Sequence, residues 1–295
     1  MSPVRVTAAH RRSLYVRAED GREMTARPAR RELSAVCGDL VRCEFDSVHG
    51  ELRVVGIEPR TNGLYRANSR GGSEVIAANL TQILVVVAPL PRPDFFVVDR
   101  YLCAAHCSGI AATIVFNKAE LPTNDETNSE LETFRATGIA VLRVSALTDT
   151  RLQGLRELLA NQTSILVGQS GVGKSSLLRS LLPECDTPVG ELIRDDEGRH
   201  TTTATRLYAL PDGGDILDSP GVRDFAPAID RLDPAALGFI EIEALAPQCR
   251  FADCRHLREP DCAVRAGVEA ASISARRYES YRRLRRLYDR LRGER

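Results

Sequence analysis

Hydrophobic and polar residues follow two different patterns along this chain. Residues 1 to about 60 contain short alternating runs separated by polar turns, which predict strands at Leu14–Ala18, Met24–Ala26, Leu40–Phe45 and Glu51–Ile57. An Asp20-Gly21 pair after the first run is typical of a tight hairpin. Several short strands in so few residues predict a small barrel, of which the oligonucleotide-binding (OB) barrel is one kind.

A second pattern begins near residue 80. Gln82–Ala88 is a nearly continuous apolar run, as expected for a strand buried on both faces. Further predicted strands are Ala112–Phe116, Ala140–Val144 and Thr163–Val167, and predicted helices are Phe95–Cys107, Glu126–Thr137, Thr150–Ala160 and Lys174–Leu182. This alternation predicts a parallel α/β sheet. The glycine-containing segment 61–78 between the two patterns is interpreted as a linker.

After residue 227 the chain becomes helical and ends in an arginine-rich helix with one apolar face (Tyr278, Tyr281, Leu284, Leu287 or Tyr288, Leu291). We therefore predict three domains: an OB-type β-barrel at residues 1–66, an α/β domain at 67–227 and a helical domain at 228–295.

A phosphate-binding motif follows the last predicted strand of the α/β domain. Gly168-Gln-Ser-Gly-Val-Gly-Lys-Ser175 fits G-x-x-x-x-G-K-S, and it lies between a strand and a helix as the motif requires. Loop amides would converge on phosphate oxygens, with Lys174 at the β- and γ-phosphates and Ser175 on Mg²⁺. A glycine-rich helix start that binds nothing is the alternative. The predicted nucleotide-binding residues are Gly168, Gln169, Ser170, Gly171, Val172, Gly173, Lys174, Ser175 and Ser176.

Asp218 and Gly221 have the D-x-x-G spacing that follows an apolar strand in GTPases. Asp218 would hold Mg²⁺ through water and the Gly221 amide would meet the γ-phosphate. The same spacing also occurs in common turns. Thr201 and Thr202 lie between the two motifs, where a threonine could complete the Mg²⁺ coordination when the γ-phosphate is present. The predicted magnesium residues are Ser175, Thr201, Thr202 and Asp218.

Two further motifs resemble the base-recognition motifs N-K-x-D and S-A-x of GTPases. Each follows a predicted strand, and their residues are Asn117, Lys118, Ala119, Glu120 and Ser145, Ala146, Leu147. Both precede the phosphate loop, the reverse of the usual order. Circular permutation preserves spatial neighbours when the new ends lie at the surface, so we predict a circularly permuted P-loop GTPase. A γ-phosphate-dependent movement after Gly221 would then act directly on the C-terminal domain.

Four potential metal ligands lie close together near the C-terminus. Cys249, Cys254, His256 and Cys262 form C-x4-C-x-H-x5-C, a closed tetrahedral set without a position for a catalytic water. The segment is too polar for a buried core, which argues against merely buried cysteines. We expect one structural Zn²⁺ to fold this region.

The charge is unevenly distributed, although the formal net charge is zero. The first 36 residues hold eight arginines against four acids, and the last twenty hold nine against three. Basic ends favour a polyanionic partner, although a solvated arginine-rich helix is the alternative. The chain has only two lysines, Lys118 and Lys174, and each lies in a nucleotide motif.

No apolar stretch approaches the roughly 18–20 residues that span a bilayer, and no leader-like segment opens the chain; we expect a cytoplasmic protein without a membrane partner.

These features together resemble the RsgA/YjeQ family, circularly permuted GTPases that act in late maturation of the small ribosomal subunit. The resemblance extends over nearly the whole chain and includes Ile76–Asn79, Gly168–Ser176, Gly198–Thr203 and Asp253–His256. It implies an OB barrel, a GTPase core and a zinc domain. It also implies GTP hydrolysis with Mg²⁺ stimulated by the small (30S) subunit, whose rRNA the flanking domains contact. The expected partners are that subunit and GTP or GDP, and we expect a monomer.

Two residues depart from common GTPase patterns. Glu120 replaces the usual aspartate and is one methylene longer, so we expect weaker guanine discrimination with a remaining preference for GTP. Val222 occupies the position where many GTPases have a glutamine that orients the attacking water. We hypothesise that His200 orients the water, with Arg199 or Arg223 as rival catalytic groups.

Two other functions are compatible with these motifs. One is an rRNA-binding assembly factor that uses GTP only as a conformational switch, which Val222 leaves open. The other is a P-loop ATPase with a zinc nucleic-acid module, against which Asn117 and Lys118 argue. Single-turnover assays distinguish the first from an enzyme, and competition between GTP and ATP decides the second.

Overall fold

The computed structural model describes residues 2–10, 13–67, 72–182, 205–218, 228, 231–233, 237–291 and 293. The strands in these ranges are β1 (Val4–Ala9), β2 (Leu14–Arg17), β3 (Glu23–Pro28), β4 (Leu40–Asp46), β5 (Glu51–Ile57), β6 (Gly63–Ala67), β7 (Ser73–Ala78), β8 (Gln82–Val87), β9 (Ala111–Phe116), β10 (Ala140–Arg143), β11 (Thr163–Val167), β12 (Arg206–Ala209) and β13 (Asp215–Asp218). The α-helices are α1 (Phe95–Cys107), α2 (Asp125–Ala136), α3 (Leu152–Leu159), α4 (Lys174–Leu181), α5 (Ile240–Leu245), α6 (Ala263–Glu269) and α7 (Ala275–Leu291).

Strands β1–β5 form the predicted barrel. β1 pairs with β2 and with β4, β2 pairs with β3, and β5 pairs with both β3 and β4, so the strand order closes on itself. The prediction missed β1. Val6, Thr7 and Ala8 are all buried, so this strand lacks the in–out alternation by which short strands are recognised in a sequence.

The central sheet has the strand order β10-β9-β8-β11-β13-β12, with β12 antiparallel to β13 and the other neighbours parallel. Successive residues of β8 enter different cores. Ile83 and Val85 pack in the core that contains α1 and α2, whereas Leu84 and Val86 pack in the core that contains α3 and α4. The prediction of a strand buried on both faces is confirmed.

The interpretation of residues 61–78 as a linker is wrong. Strands β6 and β7 form an antiparallel hairpin there, and Leu64 and Ile76 are buried in the same core as α1. The Asn62 side chain also donates to the Leu80 carbonyl and accepts from the Leu80 N–H. Asn62-Gly63, which suggested a linker, instead leads into a packed hairpin.

The barrel adjoins the β12 edge of the central sheet. Strand β1 pairs with β12 through Ala8 and Arg206, and Arg17 forms a 2.5 Å ion pair with Asp215. The thiol of Cys37 donates to the Thr205 carbonyl at 2.9 Å, and burial raises the pKa of this thiol to about 12. A protonated thiol is the form that this hydrogen bond requires.

Helices α5, α6 and α7 share a third core with part of α1. On α7, Tyr281, Leu284 and Tyr288 are buried, which agrees with the predicted apolar face. Cys103 and Ala104 of α1 belong to the same core. Within the described ranges, no helix combines the length and the apolar character that crossing a membrane would require.

Candidate functional site

The predicted nucleotide motifs meet at one edge of the central sheet. The phosphate loop follows β11, the Asn117 motif follows β9, the Ser145 motif follows β10, and Asp218 ends β13. These strands are parallel, so their carboxyl ends lie on the same side, where ligands bind in open α/β sheets. The permuted chain order therefore produces one continuous site.

Glycines in the phosphate loop are required by close backbone approaches. Gly168 has a φ of +137°, and a Cβ there would lie 2.2 Å from the Val86 carbonyl oxygen. Gly173 has a φ of +95°, and a Cβ there would lie 2.3 Å from Asn117 Nδ2. The buried Lys174 donates from Nζ to the carbonyl oxygens of Gly168 (2.5 Å) and Gln169 (2.6 Å).

One buried carboxamide connects the phosphate loop with both base motifs. Asn117 is 1% exposed, and its Nδ2 donates to the Val172 carbonyl at 3.0 Å. Its Oδ1 accepts from the Ala146 N–H at 3.2 Å. A neutral amide can make both bonds at once, whereas a carboxylate at this position could accept but could not donate.

Lys118 binds backbone on two sides of the site. Its φ is +58°, and its Nζ donates to the carbonyl oxygens of Leu90 (2.8 Å) and Gly171 (2.7 Å). The Leu90 contribution comes from a backbone atom of a loop, so no side-chain motif in the sequence could indicate it.

The other base-motif residues differ in exposure. The Ala119 N–H donates to the Val144 carbonyl at 3.0 Å, and the buried Ser145 hydroxyl accepts from the Thr148 N–H at 3.1 Å. Glu120 and Leu147 are exposed beside them. The exposed Glu120 carboxylate is therefore accessible to a ligand.

Part of the predicted magnesium and catalytic set lies within the described residues. Ser175 is in the first turn of α4, which follows β11, and Asp218 ends the neighbouring strand β13. A hydroxyl and a carboxylate are suitable ligands for a hard cation. The other residues predicted to bind magnesium or phosphate or to orient water lie outside the described residues (His200, Thr201, Thr202, Gly221). The rival arginines and the position that lacks a glutamine lie outside them too (Arg199, Arg223, Val222).

The predicted metal ligands form a compact cluster that could hold a metal ion. The ligand atoms of Cys249, Cys254, His256 and Cys262 all lie within 4.8 Å of one another. His256 Nδ1 is 3.5 Å from the sulfurs of Cys249 and Cys262, which are 3.9 Å apart. Tetrahedral zinc has bonds of about 2.3 Å to sulfur and 2.0 Å to nitrogen, which places a nitrogen and a sulfur ligand about 3.5 Å apart and two sulfur ligands about 3.8 Å apart. The observed distances agree with this geometry.

Several residues that the sequence analysis missed support this cluster. The Glu259 carboxylate accepts from the N–H groups of Arg255, Leu257 and Arg258. Partial burial raises the pKa of Glu259, but these backbone donors outweigh it and lower the value to about 2. The Tyr278 hydroxyl donates to the His256 carbonyl at 2.6 Å, and burial lowers the pKa of the His256 imidazole, which favours its neutral, metal-binding form.

We predict that Gly173→Ala abolishes tight nucleotide binding, because the new Cβ would displace Asn117 and strain a left-handed backbone. Fluorescent GTP titration should show a Kd at least about 100-fold weaker. Gly154→Ala in α3 is the matched control, since its Cβ would meet only Leu142 at 3.8 Å. Binding by Gly173→Ala equal to that of the control would contradict the interpretation of this site.

Comparison with known proteins agrees with this geometry. Residues 57–227 match the RsgA GTPase family. The chain is 43% identical over 289 residues to the small ribosomal subunit biogenesis GTPase RsgA of Chromohalobacter salexigens, covering 95% of this chain and 84% of that protein. It is 45% identical over 234 residues to RsgA of Pseudomonas syringae pv. syringae, covering 78% of this chain and 68% of that protein.

Two solved structures have the same architecture. YjeQ from Thermotoga maritima has a TM-score of 0.76 and 26% identity, covering all of this chain and 99% of that one. YloQ, described as a circularly permuted GTPase, has a TM-score of 0.73 and 25% identity, covering 98% of this chain and 95% of that one. With the phosphate loop and base motifs at one sheet edge, these matches lead to one conclusion: the chain belongs to the RsgA GTPase family.

Proposed function

We propose that this protein binds and hydrolyses GTP during maturation of the small ribosomal subunit. The observation that carries the proposal is the Asn117 carboxamide, which bonds the phosphate loop and the base motifs into one site. The relatives of 43–45% identity are named small ribosomal subunit biogenesis GTPases, which supports the subunit as the partner. The protein would act as a monomer in the cytoplasm, where small subunits mature.

Within this site, each predicted group would have a distinct task. Loop amides and Lys174 would bind the phosphates, Lys118 and Glu120 would contact the guanine, and Ser175 and Asp218 would hold Mg²⁺, the charge-neutralising cation of phosphoryl transfer. Thr201 or Thr202 would complete the magnesium set, and His200 would orient the attacking water. The arginine-rich barrel and C-terminal helix would contact rRNA phosphates.

The decisive experiment is GTP hydrolysis by the purified protein with and without small ribosomal subunits. We expect the subunits to stimulate turnover by about tenfold or more, since groups supplied in trans are worth up to about 10³–10⁵ in such reactions. His200→Ala should lose about 10²-fold or more of the stimulated rate while GTP still binds. Tight GTP binding without any stimulation would contradict the subunit-dependent function, and full activity of His200→Ala would exclude its role.

We predict that Glu120→Asp increases the preference for GTP over ATP by about tenfold, the value of one well-placed hydrogen bond to a base edge. Competition binding of the two nucleotides measures this ratio. Glu157→Asp, the same change on an exposed helical residue of α3, should leave it unchanged. An unchanged ratio in Glu120→Asp would show that this carboxylate does not contact the base.

We also propose that the cluster of three cysteines and His256 binds one structural Zn²⁺. Elemental analysis should find about one zinc per chain, and Cys254→Ser should lose it. Because structural zinc contributes directly to folding, the variant should become protease-sensitive between residues 249 and 262. Cys107→Ser, outside the cluster, is the control. Full zinc content in Cys254→Ser would contradict this ligand set.

A further inference from the structure

Helix α1 belongs to two hydrophobic cores at once. Val98 and Tyr101 pack in the core of the central sheet, whereas Cys103 and Ala104 pack in the core formed with α5, α6 and α7. Protein interiors are close-packed, so a helix with both faces buried moves as a rigid unit. A displacement of α1 would therefore change the packing of both the central-sheet core and the core formed with α5, α6 and α7.

The first residues of α1 are attached to the phosphate loop. Asp94 caps the helix, its carboxylate accepting from the N–H groups of Phe96 (3.0 Å) and Val97 (3.3 Å). The N–H of Asp94 itself donates to the side-chain oxygen of Gln169 at 3.0 Å. Gln169 is the second residue of the phosphate loop, so the helix begins on that loop.

Nucleotide binding would act on this attachment through two lysines, Lys174 at the phosphates and Lys118 at the guanine. Lys174 donates to the Gln169 carbonyl, and Lys118 joins the Gly171 carbonyl to that of Leu90, four residues before Asp94. Phosphate oxygens compete strongly for an ammonium group. Drawing Lys174 away from Gln169 would release the loop residue whose side chain binds the start of α1.

The middle of α1 binds the C-terminal helix through buried charges. The Asp99 carboxylate, whose side chain is fully buried, accepts from Arg277 at 2.7 Å and also from Arg276. Arg277 is 1% exposed and donates in addition to both carboxylate oxygens of Glu241, at 2.7 and 2.9 Å. Arg276 donates in addition to Glu130 at 2.5 Å.

This arrangement ties the position of α1 to the position of α7. The fully buried Asp99 carboxylate is paired with both arginines, so a shift of α1 that separated them would leave a buried charge alone, which is the costly outcome. Sub-ångström shifts at one site can be amplified where a packed interface has alternative arrangements. Breaking a buried ion pair by removing one partner is strongly destabilising, so these contacts hold α1 and α7 together.

We propose that α1 couples occupancy of the phosphate loop to the position of the C-terminal helix α7. The phosphates would alter the Gln169–Asp94 contact, and the guanine would alter the Lys118–Leu90 contact. Helix α1 would then shift, and Asp99 would transmit the shift to Arg276 and Arg277. The proposal rests on the proposed function in taking GTP as the ligand. The coupling proposed here runs through the start of α1. It differs from the movement after Gly221 that the order of the motifs suggested.

Hydrogen exchange of residues 275–291 tests the coupling without ribosomes. The full-length protein is compared without nucleotide and with a non-hydrolysable GTP analogue and Mg²⁺, and binding is measured separately by titration. We expect exchange in α7 to differ at least about fivefold between the nucleotide-free and the analogue-bound protein, the lower range of allosteric coupling. In Asp99→Asn the difference should fall below about twofold at saturating nucleotide.

Arg282→Gln is the matched control, because Arg282 lies on the same helix but pairs with Glu279 of that helix; it should respond like the wild type. Gln169→Leu provides a second test at the opposite end of the route and should also lose the α7 response, so the proposal stays testable if Asp99→Asn does not fold. An unchanged α7 in the wild type with analogue bound would overturn the coupling, as would a full response in Gln169→Leu. Failure of the analogue to bind would instead overturn the proposed function, and the coupling with it.

Discussion

The whole candidate site depends on the two hydrogen bonds of the Asn117 carboxamide. This group bonds the phosphate loop on one side and the second base motif on the other, and it is buried where a lost bond is costly. Residue 173 has to be glycine, because a Cβ there would lie 2.3 Å from the amide nitrogen of Asn117. The glycine at position 173 and the asparagine at position 117 therefore depend on each other, although their motifs lie far apart in the chain.

Permutation of the chain leaves this constraint intact because the parallel sheet is unchanged. β8, β9, β10 and β11 present their carboxyl ends on one side whatever the order in which they are joined. What the permutation changes is the set of elements next to the site along the chain. The barrel now adjoins the sheet at β12, and the C-terminal helices pack on α1.

The C-terminal region is organised by polar interactions as much as by its core. Four potential ligands converge, while Glu259 and Tyr278 hold the backbone that carries them. The partly buried Arg276 and the buried Arg277 of α7 contact carboxylates from three other helices. These contacts add to the third hydrophobic core, and removing one partner of a buried pair would be strongly destabilising.

The sequence by itself determined the barrel, the parallel sheet, the family resemblance and the cysteine–histidine cluster, because each depends on residues close together in the chain or on hydrophobic periodicity. It did not indicate β1 or the hairpin β6–β7, whose burial is decided by neighbours distant in sequence. The Asn117 bonds, the Leu90 carbonyl and the Asp99 cluster were likewise decided only by tertiary structure. Their partners are 28 to 178 residues apart, and such pairings leave no local pattern.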